Sequence, residues 1–225
     1  MYWRIVRING DGSIRLVYDG IEKVANGNSY SIIAESAYST ITGDIKYVGY
    51  TYESTDAEGA TIQTDSTIKG VVDAWYEKHL ETTYGSYIKD SIFCNDRNNI
   101  NSDYAFDSTD RLTSCKPTLT CTNKSDRYTV EDTTNGNGYL SNPVGLLTAD
   151  EVKMAGEDGY ISSAVKFWTM TPAFQDFVWL HGKYLDGDWE ISSYYYDVRP
   201  VINLKSDVKF EGDWSYETPY KIITE

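Results

Sequence analysis

The chain has 225 residues, enough for one domain with a core of ordinary size or for two small ones. Its 20 Lys and Arg against 34 Asp and Glu give a formal net charge of −14. That field repels a phosphate backbone and an anionic bilayer surface, so nucleic acid is excluded as the expected partner. No run approaches the ~20 apolar residues a spanning helix needs, and no leader is recognisable.

The chain opens in mid-strand, and the expectation is a single domain, 1–225, excised from a longer secreted or anchored protein. "WRIVRI" and "IRLVYDG" alternate apolar and polar residues around "NGDGS", which predicts a hairpin. Asn9, Asp11 and Ser13 have the spacing of half a calcium loop, but the remaining ligands and the closing glutamate are absent, so the expectation is a plain turn. Residues 21–64 are rich in Ser, Thr, Gly and Tyr and read as loop with short strands, "KYVGYTY" among them.

The clearest helix is predicted over 65–84, capped by Asp65 or Ser66. Ile68, Val71, Val72, Trp75 and His79 share one face, with Leu80 nearby, so His79 reads as a packed or rim residue. Residues 94–137 show little apolar pattern and call for a staple. The cysteines are Cys94, Cys115 and Cys121, an odd number with no CxxC. With only His79 and His181 as histidines, a Cys/His zinc site is not expected, and neither is any other metal or cofactor. One disulfide and one free thiol is one reading, and three buried thiols the other. A Cys94–Cys121 bridge would close the irregular stretch and contribute on the order of 3–4 kcal/mol.

A second helix is predicted over 147–156, with Thr148 and Glu151 at capping-box spacing. Strands follow: "AVKFWTMTP" closed by Pro172, then "DFVWLHGKYL", then "DWEISSYYYDVRPVINL". The predicted fold class is α+β, two helices around a small twisted antiparallel sheet that holds both the N-terminal hairpin and "VRPVINL", with long irregular loops.

Seven ordered segments carry a resemblance. They are "WRIVRINGDGSIR", "STIKGVVDAWY", "FCNDR", "LTCTNKSDRYTV", "GLLTADEVKMAG", "FWTMTP" and "DVRPVINLKSD", and they span nearly the whole chain. In them the chain resembles an uncharacterised surface domain of Gram-positive gut bacteria. That family is more distantly similar to the C-type-lectin-like fold in its formylglycine-generating-enzyme-like form. The resemblance implies that Arg199-Pro200-Val201-Ile202 enters the core while Ser192–Asp197 meets solvent and ligand. It assigns the disulfide to Cys94 and Cys121, which lie in matched segments, and leaves Cys115 free. Asp197 stands where the family usually has Gly, which implies a backbone with positive φ or a close approach there. The formylglycine-generating activity uses cysteines in the C-terminal part, and this chain has none after Cys121, so an enzyme is not expected. The calcium-lectin signatures "EPN", "QPD" and "WND" are absent as well.

These readings predict a non-catalytic ligand-binding domain, an adhesin or receptor-recognition module at the cell surface or outside the cell. Its expected partner is a protein or glycan on another cell or in the host. Tyrosine and tryptophan, apolar bodies with polar tips, suit such a face. The predicted ligand-binding residues are Trp179, His181, Tyr184, Trp189, Tyr194, Tyr195, Tyr196 and Asp197, on a segment whose composition matches that of hypervariable proteins from diversity-generating systems. A structural module that self-associates through the same face is the alternative.

Overall fold

The computed structural model describes residues 1–22, 32–55, 57–98, 105–156, 165–182, 189–213 and 217–224, with backbone alone at 55 and 189–191. The fold is mixed α+β, with several small sheets and few helices.

The predicted hairpin is β1 (Trp3–Ile8) and β2 (Ile14–Tyr18), paired antiparallel. Its turn needs no ion. The Asp11 carboxylate accepts the Ser13 amide at 2.9 Å and the Ser13 hydroxyl at 2.6 Å, and it also pairs with Lys89. Among the described residues no group of three or more His, Cys, Asp or Glu could hold a metal ion.

Between the hairpin and the long helix lie β3 (Ala34–Ala37) and an antiparallel pair, β4 (Thr51–Thr55) and β5 (Thr61–Asp65). The helix starts at α1 (Thr67–Tyr76), runs through a π turn at Glu77–Glu81 and ends in α2 (Thr82–Tyr84). Ser66 caps it by accepting the Lys69 amide. The buried row is Ile68, Val72, Tyr76 and Leu80, each four residues after the last. Val71 and Trp75 are only half-buried, and His79 lies exposed at the rim, 5.6 Å from the Trp75 ring. Lys69 is fully buried between Asp65 at 3.0 Å and Asp73 at 2.7 Å.

The stretch from 94 to 137 is less irregular than expected. β6 (Phe93–Cys94) pairs with β7 (Arg127–Tyr128), and α3 (Asp107–Thr113) lies between them. Cys94 and Cys121 form the disulfide, with Cα atoms 5.7 Å apart, and Cys115 is free and exposed. Two polar side chains add to this tie. The Asp90 carboxylate accepts the amides of Val130, Glu131 and Asp132, and Asn95 links the Tyr50 amide to the Tyr128 hydroxyl.

The second predicted helix is α4 (Ala149–Ala155), with both hydrogen bonds of the capping box between Thr148 and Glu151. Gly145, just before it, exchanges two backbone hydrogen bonds with Val201. A Cβ at Gly145 would lie 2.4 Å from the Phe93 ring, so only glycine fits there.

Then come β8 (Phe167–Phe174), β9 (Phe177–His181), β10 (Trp189–Ile191), β11 (Tyr195–Val198) and β12 (Val201–Leu204). Pro172 does not close β8. The strand passes through it, with register shifts on both sides that accommodate the missing N–H. The last described pair is β13 (Phe210–Glu211) with β14 (Lys221–Ile222).

The expectation of one sheet is corrected. The "VINL" part of "VRPVINL" does join the hairpin, as β12 in a three-stranded sheet of order β1-β2-β12. Strands β8 to β11 instead join β3 in a separate five-stranded sheet of order β10-β9-β8-β11-β3. That sheet is mixed, because β11 runs parallel to β8. The chain crosses from one sheet to the other at Arg199 and Pro200, and both sheets feed a core that includes Trp168, Met170, Val198, Val201 and Ile202.

Candidate functional site

The predicted binding face divides sharply once folded. Tyr194 is 52% exposed and Tyr195 68%. Tyr196 points the other way along β11 and meets the buried Trp168 edge to face at 5.2 Å. Trp168 is fixed in turn by donating its indole N–H to Ser36 O at 2.8 Å. β11 pairs with β3 from Tyr195 to Val198 and with β8 at Asp197, so Tyr195 is tied to β3 and Tyr194 sits just before a strand that is bonded on both flanks further along. The Ser39 amide donates to Ser192 O, which brings the segment carrying the exposed Ile41 beside them.

Trp179, His181 and Asp197 are not on that surface. Trp179 is 1% exposed and packs with Leu112, Ala149 and Ala173. His181 is equally buried, edge-on to Phe167 at 5.2 Å. Burial, and then the neighbouring Arg199 cation, push its pKa down to about 4. It is therefore neutral at physiological pH. Both expectations fail for one reason: β9 is covered on both sides. Val178 and Leu180 enter the main core, while α3 and α4 supply Leu112 and Ala149 against Trp179. Tyr184 lies outside the described residues. The backbone of Trp189 pairs with Trp179 in β10, and its side chain is outside the described set.

Asp197 lies in regular β11 and is not among the residues with positive φ, so the positive-φ form of that expectation is not found. It is buried and sits directly opposite Glu35 on β3. Burial, and then the Glu35 charge, raise its carboxyl to about 6. Because the folded pKa exceeds the unfolded one, ionised Asp197 opposes folding, and stability falls as pH rises from about 4 through 6. Glu35→Gln is expected to raise stability at neutral pH by a few tenths of a kcal/mol, with the gain fading as Asp197 protonates below about 6. Urea midpoints of parent and variant on either side of that pH check it.

Arg199 anchors the crossing between the sheets. It is 1% exposed, donates twice to Tyr18 O at 3.0 and 3.2 Å, lies 3.5 Å from Asp19 and stacks 4.8 Å above the Phe167 ring. Burial lowers its pKa to about 10, which leaves it charged.

A second concavity, of about 220 Å³, was not read from the sequence. It is lined by Arg7, Arg15, Arg111 and Arg127 together with Asp96, Asp150 and Glu151. Arg7 and Arg15 are direct cross-strand partners, an arrangement of like charges that needs a carboxylate between them. Glu151 supplies it. It takes Arg15 Nε at 2.5 Å and Nη2 at 3.1 Å, pairs with Arg7 Nη1, and still accepts the Thr148 amide. The only signal in the sequence was the capping-box spacing that placed Glu151 at the helix start. Nothing marked it as the counterion of two distant arginines.

No family model, no curated protein and no solved structure matches the chain.

Proposed function

We propose that this chain is a non-catalytic ligand-binding domain of C-type-lectin-like architecture, displayed at a cell surface or outside the cell. The carrying observation is the adjacent exposed pair Tyr194 and Tyr195 at the start of a strand bonded on both sides. Aromatic side chains on a rigid frame are the usual anchors of protein and glycan recognition, because ordering them costs little when the backbone is already fixed. The seven motif segments and the disulfide support the same reading, since disulfides persist outside the cytosol. No helix among the described residues is long and apolar enough to cross a membrane.

The test is retention on a glycan array and on immobilised mucin, for the parent and for Tyr194→Ala/Tyr195→Ala. The parent is expected to bind as a monomer, and the variant to lose roughly tenfold in affinity. Equal binding by both, no binding by either, or polymerisation of the parent through these tyrosines contradicts the proposal.

A further inference from the structure

We infer that the arginine-lined cleft between the hairpin, α3, α4 and the disulfide is an oxyanion site, built to take the carboxylate or sulfate group of a small acidic ligand. It shares no lining residue with the tyrosine edge and stands or falls independently of it.

Three observations carry it. Four guanidinium groups and three carboxylates line one cleft, an excess of one positive charge on a chain whose net charge is −14. Such local reversal of sign focuses anions into a concavity. Next, Arg127 donates from Nε to Cys121 O at 2.8 Å and from Nη2 to Thr122 O at 3.0 Å. No carboxylate among the described residues pairs with it, so backbone carbonyls position the group and leave its charge uncompensated. Finally, Arg15 is 1% exposed, and its Nη1 has no hydrogen-bond partner, whereas Nη2 donates to Glu151 and Leu146 O and Nε makes an ion-pair contact with Glu151 without a hydrogen bond. A buried donor left unpaired on a guanidinium is costly, and an oxyanion in the cleft removes that cost. Planar guanidinium groups match the two oxygens of a carboxylate or sulfate, and Thr118 and Thr120 also line the cleft.

The cleft also carries a charge that varies with pH. Asp96 pairs with Arg111 and faces Asp150 and Asp126 as well, and burial raises its carboxyl to about 6 despite the arginine. Protonation removes one negative charge from the lining, so anion binding strengthens as pH falls through about 6. Asp96 has φ of 52°, a conformation that asparagine also tolerates, so Asp96→Asn is a conservative way to fix the neutral form.

The experiment is titration with sodium glucuronate and with sodium sulfate, at ionic strength held constant with sodium chloride, and with glucose as the neutral control. Binding is read by calorimetry and by the shifts of arginine Nε–H resonances. The parent is expected to bind both anions and not glucose, with the Arg15 and Arg127 signals moving. Arg127→Gln should weaken binding roughly tenfold. Asp96→Asn should bind more tightly at neutral pH and lose the pH dependence. Lys124→Gln, at an exposed position outside the cleft, should leave binding unchanged. If Arg127→Gln does not fold, the parent's arginine shifts and the Asp96→Asn pH profile decide. Absence of anion binding by the parent, equal response to glucose, shifts confined to other arginines, or unchanged affinity in a folded Arg127→Gln overturns the inference.

Discussion

Replacing Arg199 with alanine is expected to destabilise the protein by about 3–5 kcal/mol. The side chain is almost wholly buried where the chain leaves β11 and enters β12. Its removal takes two donors from the Tyr18 carbonyl, leaves Asp19 to Arg4 at 2.8 Å, and opens space against the Phe167 ring. An unpaired buried carbonyl and a weakened, nearly buried carboxylate both oppose folding. Arg199→Lys should recover only part of the loss, since an ammonium cannot reproduce the planar fork or the stacking. Urea denaturation of the parent and both variants measures this directly, and a loss below about 1 kcal/mol for Arg199→Ala would mean the residue does not anchor the crossing.

Removing the Cys94–Cys121 disulfide should cost about 3–4 kcal/mol, most of it through the unfolded chain. The bridged residues are 27 apart in sequence, and among the described residues between them there is one α-helix, of seven residues. The bridge is therefore the main restraint on that segment in the unfolded state. The same linkage fixes the thiol count. Unfolded, unreduced protein is expected to present one thiol, Cys115, and reduced protein all three. A paired Cys94→Ala/Cys121→Ala variant that unfolds within about 1 kcal/mol of the parent would show that the Asp90 and Asn95 ties hold this region unaided.

The legible parts of this fold were those set by local chemistry. Asn-Gly and Asp-Gly turns predicted the hairpin, Ser66 and Thr148 predicted two helix starts, and the apolar run "VRPVINL" predicted a strand beside that hairpin. α3 was missed because "DSTDRLT" carries a single apolar residue, so no period distinguishes it from loop. What decides it is tertiary: Leu112 packs on Trp179, and Arg111 bridges to Asp96 and Asp150.

The same cause misled the site reading. "FVWLH" alternates no polar face, and sequence alone cannot tell a strand with one aromatic side outward from a strand covered on both sides. Trp179 went to the interior because Leu112 of α3 and Ala149 of α4 pack on it, and His181 because it lies against Phe167 of the neighbouring strand. Buried ions were invisible for a related reason. Lys69 and Arg15 are charged residues on exposed-looking positions, and only their partners, Asp73 one turn away and Glu151 far away in sequence, make burial tolerable, whereas the burial of Arg199 was implied by the resemblance. The exposure of Tyr195 and the inward turn of Tyr196 follow the alternation of β11, while Tyr194 lies just before the strand.

The central claim is that one short segment holds an exposed recognition pair and a buried anchor, separated by fewer than six residues. Thermal unfolding of Tyr194→Ala/Tyr195→Ala beside Arg199→Ala tests it most directly. The tyrosine variant is expected to melt within about 2 °C of the parent, since exposed side chains contribute little to stability. The Arg199 variant should melt roughly 6–12 °C lower. If instead the tyrosine variant loses that much and Arg199→Ala melts with the parent, the anchor and the recognition pair have been assigned to the wrong ends of the segment.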